Sequence, residues 1–286
     1  MSSSPTVGDA KRLAEQGAAH AAPWIEILAR VGYVSKGLVY LTVGVLSLLQ
    51  AAHRPGGETT DQRGALHSLA QLPLGRELLI LLGVGLAGYA LWQVVRTLLD
   101  PEQLGLGAKA LAKRVGYLLS AVAYASLALA AAFHQGGSAS QGSGNQSAQD
   151  WTARLLQAPG GQLLVGLVGA VLIGVALRQL YVAYTSKFMQ YIQLTDLGAK
   201  HRTLMRRVGQ LGIAARGVVA ALIGFFFVQA AWQADPSRAG GLQQALRTFA
   251  QAPYGRALLA LAALGLAAYG LYCWVQAAYR RIHIRN

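Results

Sequence analysis

The sequence predicts an all-α integral membrane protein, in which six transmembrane helices form three tandem two-helix repeats. The first observation is composition: 54% of the residues are hydrophobic and only 13% are charged, which is typical of membrane proteins. The second is a set of six apolar runs, each about as long as a helix needs to cross a bilayer. The third is a five-residue motif that occurs three times, before the second, fourth and sixth runs.

The six apolar runs set the predicted membrane spans. Each holds roughly twenty residues, and at a rise of about 1.5 Å per residue such a helix covers a hydrocarbon core of about 30 Å. An even number of spans places both ends of the chain on the same side of the membrane. The predicted spans are 31–52, 77–99, 112–134, 162–185, 208–232 and 256–279.

The repeated five-residue motif predicts a corner, where a short surface helix ends and a spanning helix begins. Its proline suits the first turn of a helix and disfavours helical geometry at the preceding residue, and its glycine allows close packing. An amphipathic stretch before each copy suits a helix lying at the outer membrane surface. The glutamine, proline and glycine of the three corners are Gln71, Pro73 and Gly75; Gln157, Pro159 and Gly161; and Gln251, Pro253 and Gly255.

Self-similarity divides the chain into three copies of one two-span unit. Residues 30–33 resemble 114–117 and, more loosely, 210–213; residues 85–92 resemble 265–272 and, without the aromatic side chains, 171–178. Within the N-terminal arm, residues 10–21 are either a weak surface helix or a frayed terminus. The predicted division is an arm at 1–23, repeats at 24–101, 102–188 and 189–281, and a tail at 282–286.

Because each unit contains two spans, all three units have the same orientation, and an axis that relates them must run along the membrane normal. A pseudo-threefold bundle is the simplest closed arrangement of this kind. Its helix contacts are predicted at small residues, which let backbones approach closely in lipid. These residues are Gly37 and Gly44 in the first span, Ala121 and Ala128 in the third, and Gly217 and Gly224 in the fifth.

The chain has 25 basic and 11 acidic residues, which gives a formal net charge of +14. The basic residues lie between the apolar runs and form no stripe with interleaved aromatic residues, which argues against a nucleic-acid-binding surface. The predicted topology puts 18 of the 25 on the side of the two termini. By the positive-inside rule both termini are therefore expected to be cytoplasmic.

Three tandem two-span units, with Arg-x-Gly near the start of the odd spans and Gly-Leu-Ala-x-Tyr in the even spans, resemble a bacterial membrane family catalogued as domain of unknown function 1206. The resemblance extends from Arg30 to about Arg281 and rests on the repeat layout. It implies a six-span protein of the bacterial inner membrane and brings no catalytic residues with it. The middle copy departs from the pattern at Ser120, Val175 and Arg178, so the equivalence of the three copies is incomplete there.

No catalytic or cofactor signature is evident in the sequence. It has no nucleophile triad motif, phosphate-binding loop or haem-attachment motif, so neither an enzyme nor a resident cofactor is expected. His53 and His134 lie near the outer ends of the first and third spans, and His67 lies on the first outer helix. All three are interpreted as isolated interfacial histidines, with a metal site as the alternative. All 11 acidic residues lie in loops or helix ends, which disfavours a carrier driven through buried carboxylates.

Basic side chains within the spans are the candidate binding residues. Lys36, Arg178 and Arg216 lie about 10 Å inside the cytoplasmic ends of their spans, at about 1.5 Å per residue. They either extend to the membrane surface or line a basic pocket for an anion, such as a phospholipid headgroup. The polar residues that could face the bundle axis are Tyr40, Tyr89, Tyr124, Tyr269, Gln93 and Gln179.

Two classes of function remain open at this point. The first is a non-enzymatic protein that binds anionic lipid or serves as an accessory subunit of a membrane complex. The alternative is a pore or carrier for a small or anionic solute along the pseudo-threefold axis, which polar residues at that axis would favour. The expected partners are membrane lipids, among them anionic phospholipid, and in the first class a larger membrane complex.

Overall fold

The computed structural model describes residues 7–98, 107–133, 144–192 and 199–280, and these residues confirm the all-α class. Two short 3₁₀ turns, Lys187–Tyr191 and Pro236–Arg238, accompany the α-helices, and the described residues form no β-strand. The α-helices are α1 (Val7–Ala51), α2 (Gln62–Ala70), α3 (Gly75–Leu98), α4 (Ala108–Phe133), α5 (Gly144–Leu156), α6 (Gly161–Thr185), α7 (Ala199–Gln233), α8 (Leu242–Gln251) and α9 (Gly255–Tyr279).

Six of these helices are long and apolar enough to cross a membrane, and they match the six predicted spans. α1 is continuous from Val7, so part of the predicted N-terminal arm and the first span belong to one helix. The apolar segments are Glu26–Ala51 in α1, Gly75–Leu98, Lys113–Phe133 in α4, Gly161–Thr185, Lys200–Gln233 in α7 and Gly255–Tyr279. The chain is therefore organised as a multi-span membrane protein.

Each corner motif lies between a short helix and a long one. The short helices α2, α5 and α8 end at the motif, and α3, α6 and α9 begin at its glycine. The residue before that glycine is left-handed in all three copies, with φ of 63° at Leu74, 73° at Gly160 and 59° at Tyr254. This reversal turns the chain from the short helix into the long one within a few residues.

The corner glycines are required by the short helix that they follow. A methyl group added at Gly75 would overlap the carbonyl oxygen of Ala70 near the end of α2. The same overlap would occur between Gly255 and Ala250, in the third copy. The glycine therefore permits a tight return against the preceding short helix, whereas the sequence pattern suggested contact with a neighbouring span.

The long helices pack side by side in the order α6, α7, α9, α1, α3 and α4. Helices of the first and last repeats thus lie next to each other, with α1 between α9 and α3. In the described part of the chain, no comparable packing joins the two ends of this series, α4 and α6. These two helices also have the most exposed apolar surface of the six, as expected for surfaces that face lipid.

The predicted small residues lie where long helices cross. A methyl group added at Gly44 of α1 would be 2.8 Å from the carbonyl oxygen of Ala263 in α9. One at Gly224 of α7 would be 2.9 Å from the carbonyl oxygen of Gly169 in α6. Small residues at these positions let the backbones approach to a distance that larger side chains would prevent.

Candidate anion site

Lys36 lies at the centre of a cluster of tyrosines from three spanning helices. Its side chain is buried, with 3% of the residue exposed, and its Nζ donates a hydrogen bond of 2.9 Å to the Tyr89 hydroxyl on α3. The Nζ also lies 4.5, 5.1 and 5.4 Å from the ring centroids of Tyr89, Tyr124 and Tyr269. All three distances fall within the range of cation–π attraction. One ammonium group is thus surrounded by rings from all three repeats.

Arg216 on α7 is the second cation of this cluster. Its Nη1 donates a hydrogen bond of 2.7 Å to the Tyr269 hydroxyl, and its Cζ lies 5.0 Å from the centroid of that ring. Tyr269 therefore contacts both cations. Arg216 is partly exposed, whereas Lys36 is almost fully enclosed.

The two cation–tyrosine hydrogen bonds join equivalent positions of repeats 1 and 3. In each the donor precedes the acceptor by 53 residues, from Lys36 to Tyr89 and from Arg216 to Tyr269. In the middle repeat the corresponding positions hold Ser120 and Val175, which cannot form such a pair. The bundle thus contains two copies of one polar contact and lacks the third.

The tyrosines of the cluster also pack against one another. The centroids of Tyr89 and Tyr124 are 4.6 Å apart and those of Tyr40 and Tyr269 are 4.8 Å apart, both edge to face. Each of the four residues is less than one tenth exposed. Edge-to-face contacts of this kind contribute about 0.5–1.5 kcal/mol beyond burial, so they hold the rings in place around Lys36.

The structure separates the remaining predicted residues from this cluster. Arg178 is exposed on α6, which agrees with the interpretation that it extends along the bundle surface. Gln179, beside it, is half-buried. Gln93 is buried and accepts a hydrogen bond of 2.8 Å from Arg96, whose guanidinium stacks 3.7 Å from the centroid of Tyr117.

No carboxylate in the described residues pairs with Lys36 or Arg216. Ion pairs elsewhere in these residues include Arg30 with Glu26 and Arg238 with Asp235. An ammonium has three hydrogen-bond donors and a guanidinium has five, and each of the two cations donates one hydrogen bond in the described structure. Burial of an uncompensated charge is unfavourable, so the cluster has both the charge and the free donors to bind an anion.

The N-terminal ends of the three short helices meet in what we call the short-helix junction. Asp61 caps α2 through the amides of Arg63 and Gly64, and its second carboxylate oxygen accepts a hydrogen bond from the amide of Gly144 at the start of α5. Asn145 of α5 accepts a 2.7 Å bond from the amide of Gly241 before α8. Gln243 of α8 donates a 3.2 Å bond back to the carbonyl of Thr59 before α2. The junction therefore joins all three repeats in a closed cycle.

The short-helix junction is directly connected to the tyrosine cluster. Gln62, the first residue of α2, donates a hydrogen bond of 3.2 Å from Nε2 to the hydroxyl of Tyr40. Tyr40 in turn packs against Tyr269. The junction is thus linked through Tyr40 to Tyr269, the ring that contacts both cations.

His53 and His67, the two predicted histidines within the described residues, contact different side chains. His53 is exposed and lies 3.1 Å from the guanidinium of Arg256, through Nε2. His67 lies 3.0 Å from the side-chain amide of Gln71, and His134 is outside the described residues. In the described part of the chain, no group of three or more histidine, cysteine or carboxylate side chains could hold a metal ion.

Lys36, Arg216 and the tyrosines of the cluster could each be selected from the sequence as candidates, but the contacts between them were not predicted. The equal spacing of Lys36 to Tyr89 and of Arg216 to Tyr269 was the available signal. The junction residues Asp61 and Asn145 were also missed, because their partners lie in other repeats.

Six apolar spans and an internally repeated polar contact define a multi-span membrane protein built from repeats of two helices. A family model described as Domain of Unknown Function (DUF1206) matches the chain three times, at residues 31–100, 115–186 and 211–280. The chain belongs to this family.

A relative from Bacillus subtilis (strain 168), named Uncharacterized protein YxxB, is 35% identical over 260 residues. The alignment covers 91% of this chain and 93% of that protein, so the similarity extends over the whole architecture. No solved structure matches the chain.

Proposed function

We propose that the bundle binds an anion between its helices and that Lys36 and Arg216 hold the negative charge. The observation that carries this proposal is a pair of cations from two repeats that both contact Tyr269 and that pair with no carboxylate among the described residues. Lys36 would supply a point charge, and Arg216 would supply a planar fork suited to a phosphate or carboxylate group. The activity is non-enzymatic binding of a phosphate-bearing or similar anion.

We also propose that the three repeats surround a pseudo-threefold axis along the membrane normal. Support comes from helix crossings at equivalent positions: Gly44 with Ala263, Ala128 with Gly83, and Gly224 with Gly169. Each pairs an odd span with the even span of another repeat. The cyclic hydrogen bonds of the short-helix junction support the same axis.

The charge distribution supports an orientation with both termini cytoplasmic, the short-helix junction outside and a location in the bacterial inner membrane. In a Cys273→Ala background, Ser237→Cys beside α8 and Lys187→Cys after α6 place single thiols at opposite ends of the bundle. An impermeant maleimide added to intact cells is expected to label the first and spare the second until the membrane is opened. Labelling of Lys187→Cys alone in intact cells would reverse the proposed orientation.

A carrier for the same anion is the second candidate function. It is favoured by the position of the cations between spanning helices, beneath a junction that covers one end of the bundle. Carriers commonly bind their substrates near the middle of the membrane and open to each side in turn. Uptake of radiolabelled phosphate into liposomes containing the protein would favour this candidate. An accessory role in a larger membrane complex stays a prediction.

The binding proposal is tested by removing both cations. We expect Lys36→Gln with Arg216→Gln to lower the affinity for short-chain phosphatidylglycerol, inorganic phosphate or both by at least about tenfold, since each charged hydrogen bond contributes about 1.5–3 kcal/mol. The measurement is the ligand-dependent shift in unfolding temperature in neutral detergent. This readout is needed because loss of buried charges can itself stabilise the unliganded fold.

Arg178→Gln is the matched control, because it removes a basic residue of the same predicted depth from an exposed position. It is expected to retain the affinity of the wild type. Equal affinities for the double variant, the control and the wild type would refute the anion site.

A further inference from the structure

The gap between α4 and α6, which we call the seam, replaces a close helix contact that the other two repeats form. In repeat 1, a methyl group added at Gly32 would be 2.7 Å from the backbone nitrogen of Tyr89. In repeat 3, one at Gly212 would be 2.5 Å from that of Tyr269. The equivalent glycine of repeat 2, Gly116, has no neighbouring atom within 4 Å of such a group among the described residues. The seam is therefore open at this position.

The other wall of the seam shows the same difference. A methyl group at Gly88 of α3 would be 2.8 Å from the carbonyl oxygen of Leu28 in α1. Its equivalent in α6, Gly174, has no neighbouring atom within 4 Å in the part of the chain that the structure describes. Two glycines, one on each helix, thus face open space where their counterparts support tightly packed interfaces.

The seam is open at the level of the two cations. Gly174 precedes Val175, which occupies the position of the hydrogen-bond acceptors Tyr89 and Tyr269. Gly116 is one helical turn from Ser120, which occupies the position of Lys36 and Arg216. The missing third polar contact and the missing helix contact therefore coincide.

We propose that the seam is a lateral entrance through which an anionic phospholipid reaches Lys36 and Arg216. This inference rests on the proposed anion site and names the source of the anion. The phosphate of the headgroup would bind the two cations, and an acyl chain would occupy the space beside Gly116 and Gly174. Partly exposed Arg216 would meet the phosphate before enclosed Lys36 does.

The chemistry of the seam favours a lipid over a free aqueous anion. The surface beside it carries large exposed apolar side chains, which suit acyl chains: Val115, Leu118 and Leu119 on α4, and Val171, Val175 and Leu177 on α6. The short-helix junction lies on another side of the cluster, to which Gln62 connects it through Tyr40. A charged headgroup between apolar helices needs cationic partners, and the cluster supplies two of them.

The test fills the seam and leaves the cations in place. Gly116→Trp with Gly174→Trp adds bulk only where the structure is open, and Val122→Trp on the exposed face of α4 is the matched control. Native mass spectrometry measures bound phosphatidylglycerol, and glycerol phosphate is measured separately as the headgroup alone. We expect the seam-filled variant to lose at least about tenfold in phosphatidylglycerol occupancy, while the control retains it. Gly174→Leu is a milder filling variant, in case the tryptophan pair does not fold.

The outcomes separate this inference from the anion site itself. Undiminished phosphatidylglycerol on the seam-filled variant, with loss only in the Lys36→Gln/Arg216→Gln variant, would overturn the entrance and leave the anion site standing. Binding of glycerol phosphate but not of phosphatidylglycerol by the wild type would assign the site to a soluble anion. Failure of the wild type to bind either probe would overturn both proposals. Conversion of a dimer into a monomer by seam filling would show that a second copy of the chain occupies the seam.

Discussion

Replacement of Gly37 by leucine is expected to separate α1 from α9 and to lower the unfolding free energy by about 3 kcal/mol or more, at the upper end of overpacking effects. The added Cβ would lie 2.8 Å from the carbonyl oxygen of Gly270 and 2.5 Å from Cδ1 of Trp274. A backbone carbonyl cannot move away without shifting α9. The measurement is thermal unfolding in detergent, compared with the wild type.

Leucine at two other glycines is expected to reduce the stability by smaller amounts. Gly217→Leu is expected to be milder, because its nearest neighbour, 3.1 Å away, is the flexible side chain of Leu180. Gly174→Leu is the control, since none of the described atoms would lie within 4 Å of its Cβ. Equal unfolding temperatures for Gly37→Leu and Gly174→Leu would show that α1 and α9 do not make the close contact described here.

Most of the fold could be predicted from the sequence, because helix length and repeat spacing are local properties. The apolar runs gave the six long helices, and the proline and glycine of each corner marked where α3, α6 and α9 begin. The left-handed residue before each glycine was not predictable from residue type, since Leu74 and Tyr254 rarely adopt this conformation. Tertiary packing of the short helix against the corner imposes it.

The candidate site was only partly predictable for a different reason. Lys36, Arg178 and Arg216 have the same predicted depth, but depth does not determine which side of a helix a residue occupies. Lys36 and Arg216 point into the tyrosine cluster, whereas Arg178 is exposed. The seam could not be predicted from the sequence either. Gly116 matches the repeat motif just as Gly32 and Gly212 do, and the difference is seen only in the structure, where Gly116 has no close neighbour among the described residues.

The second large effect is the loss of anion affinity that we expect when Lys36 and Arg216 are both replaced by glutamine. Lys36 and Arg216 place two basic groups around one tyrosine, Tyr269, and a nearby anion would favour the charged form of both. In the proposed site the further donors of both groups bind one phosphate, whose oxygens accept several hydrogen bonds at once. The proposed anion would offset the charge of Lys36 and Arg216, two cations that have no counterpart in the middle repeat.

Electron cryomicroscopy of the protein in nanodiscs that contain phosphatidylglycerol tests this claim most directly. We expect density for a phosphate group within about 3 Å of Lys36 Nζ and of the Arg216 guanidinium, the distance of a charged hydrogen bond. This density should be absent from the Lys36→Gln/Arg216→Gln variant in the same lipid. A well-resolved wild-type map in which tyrosines alone surround both cations, with no density between them, would contradict the anion site.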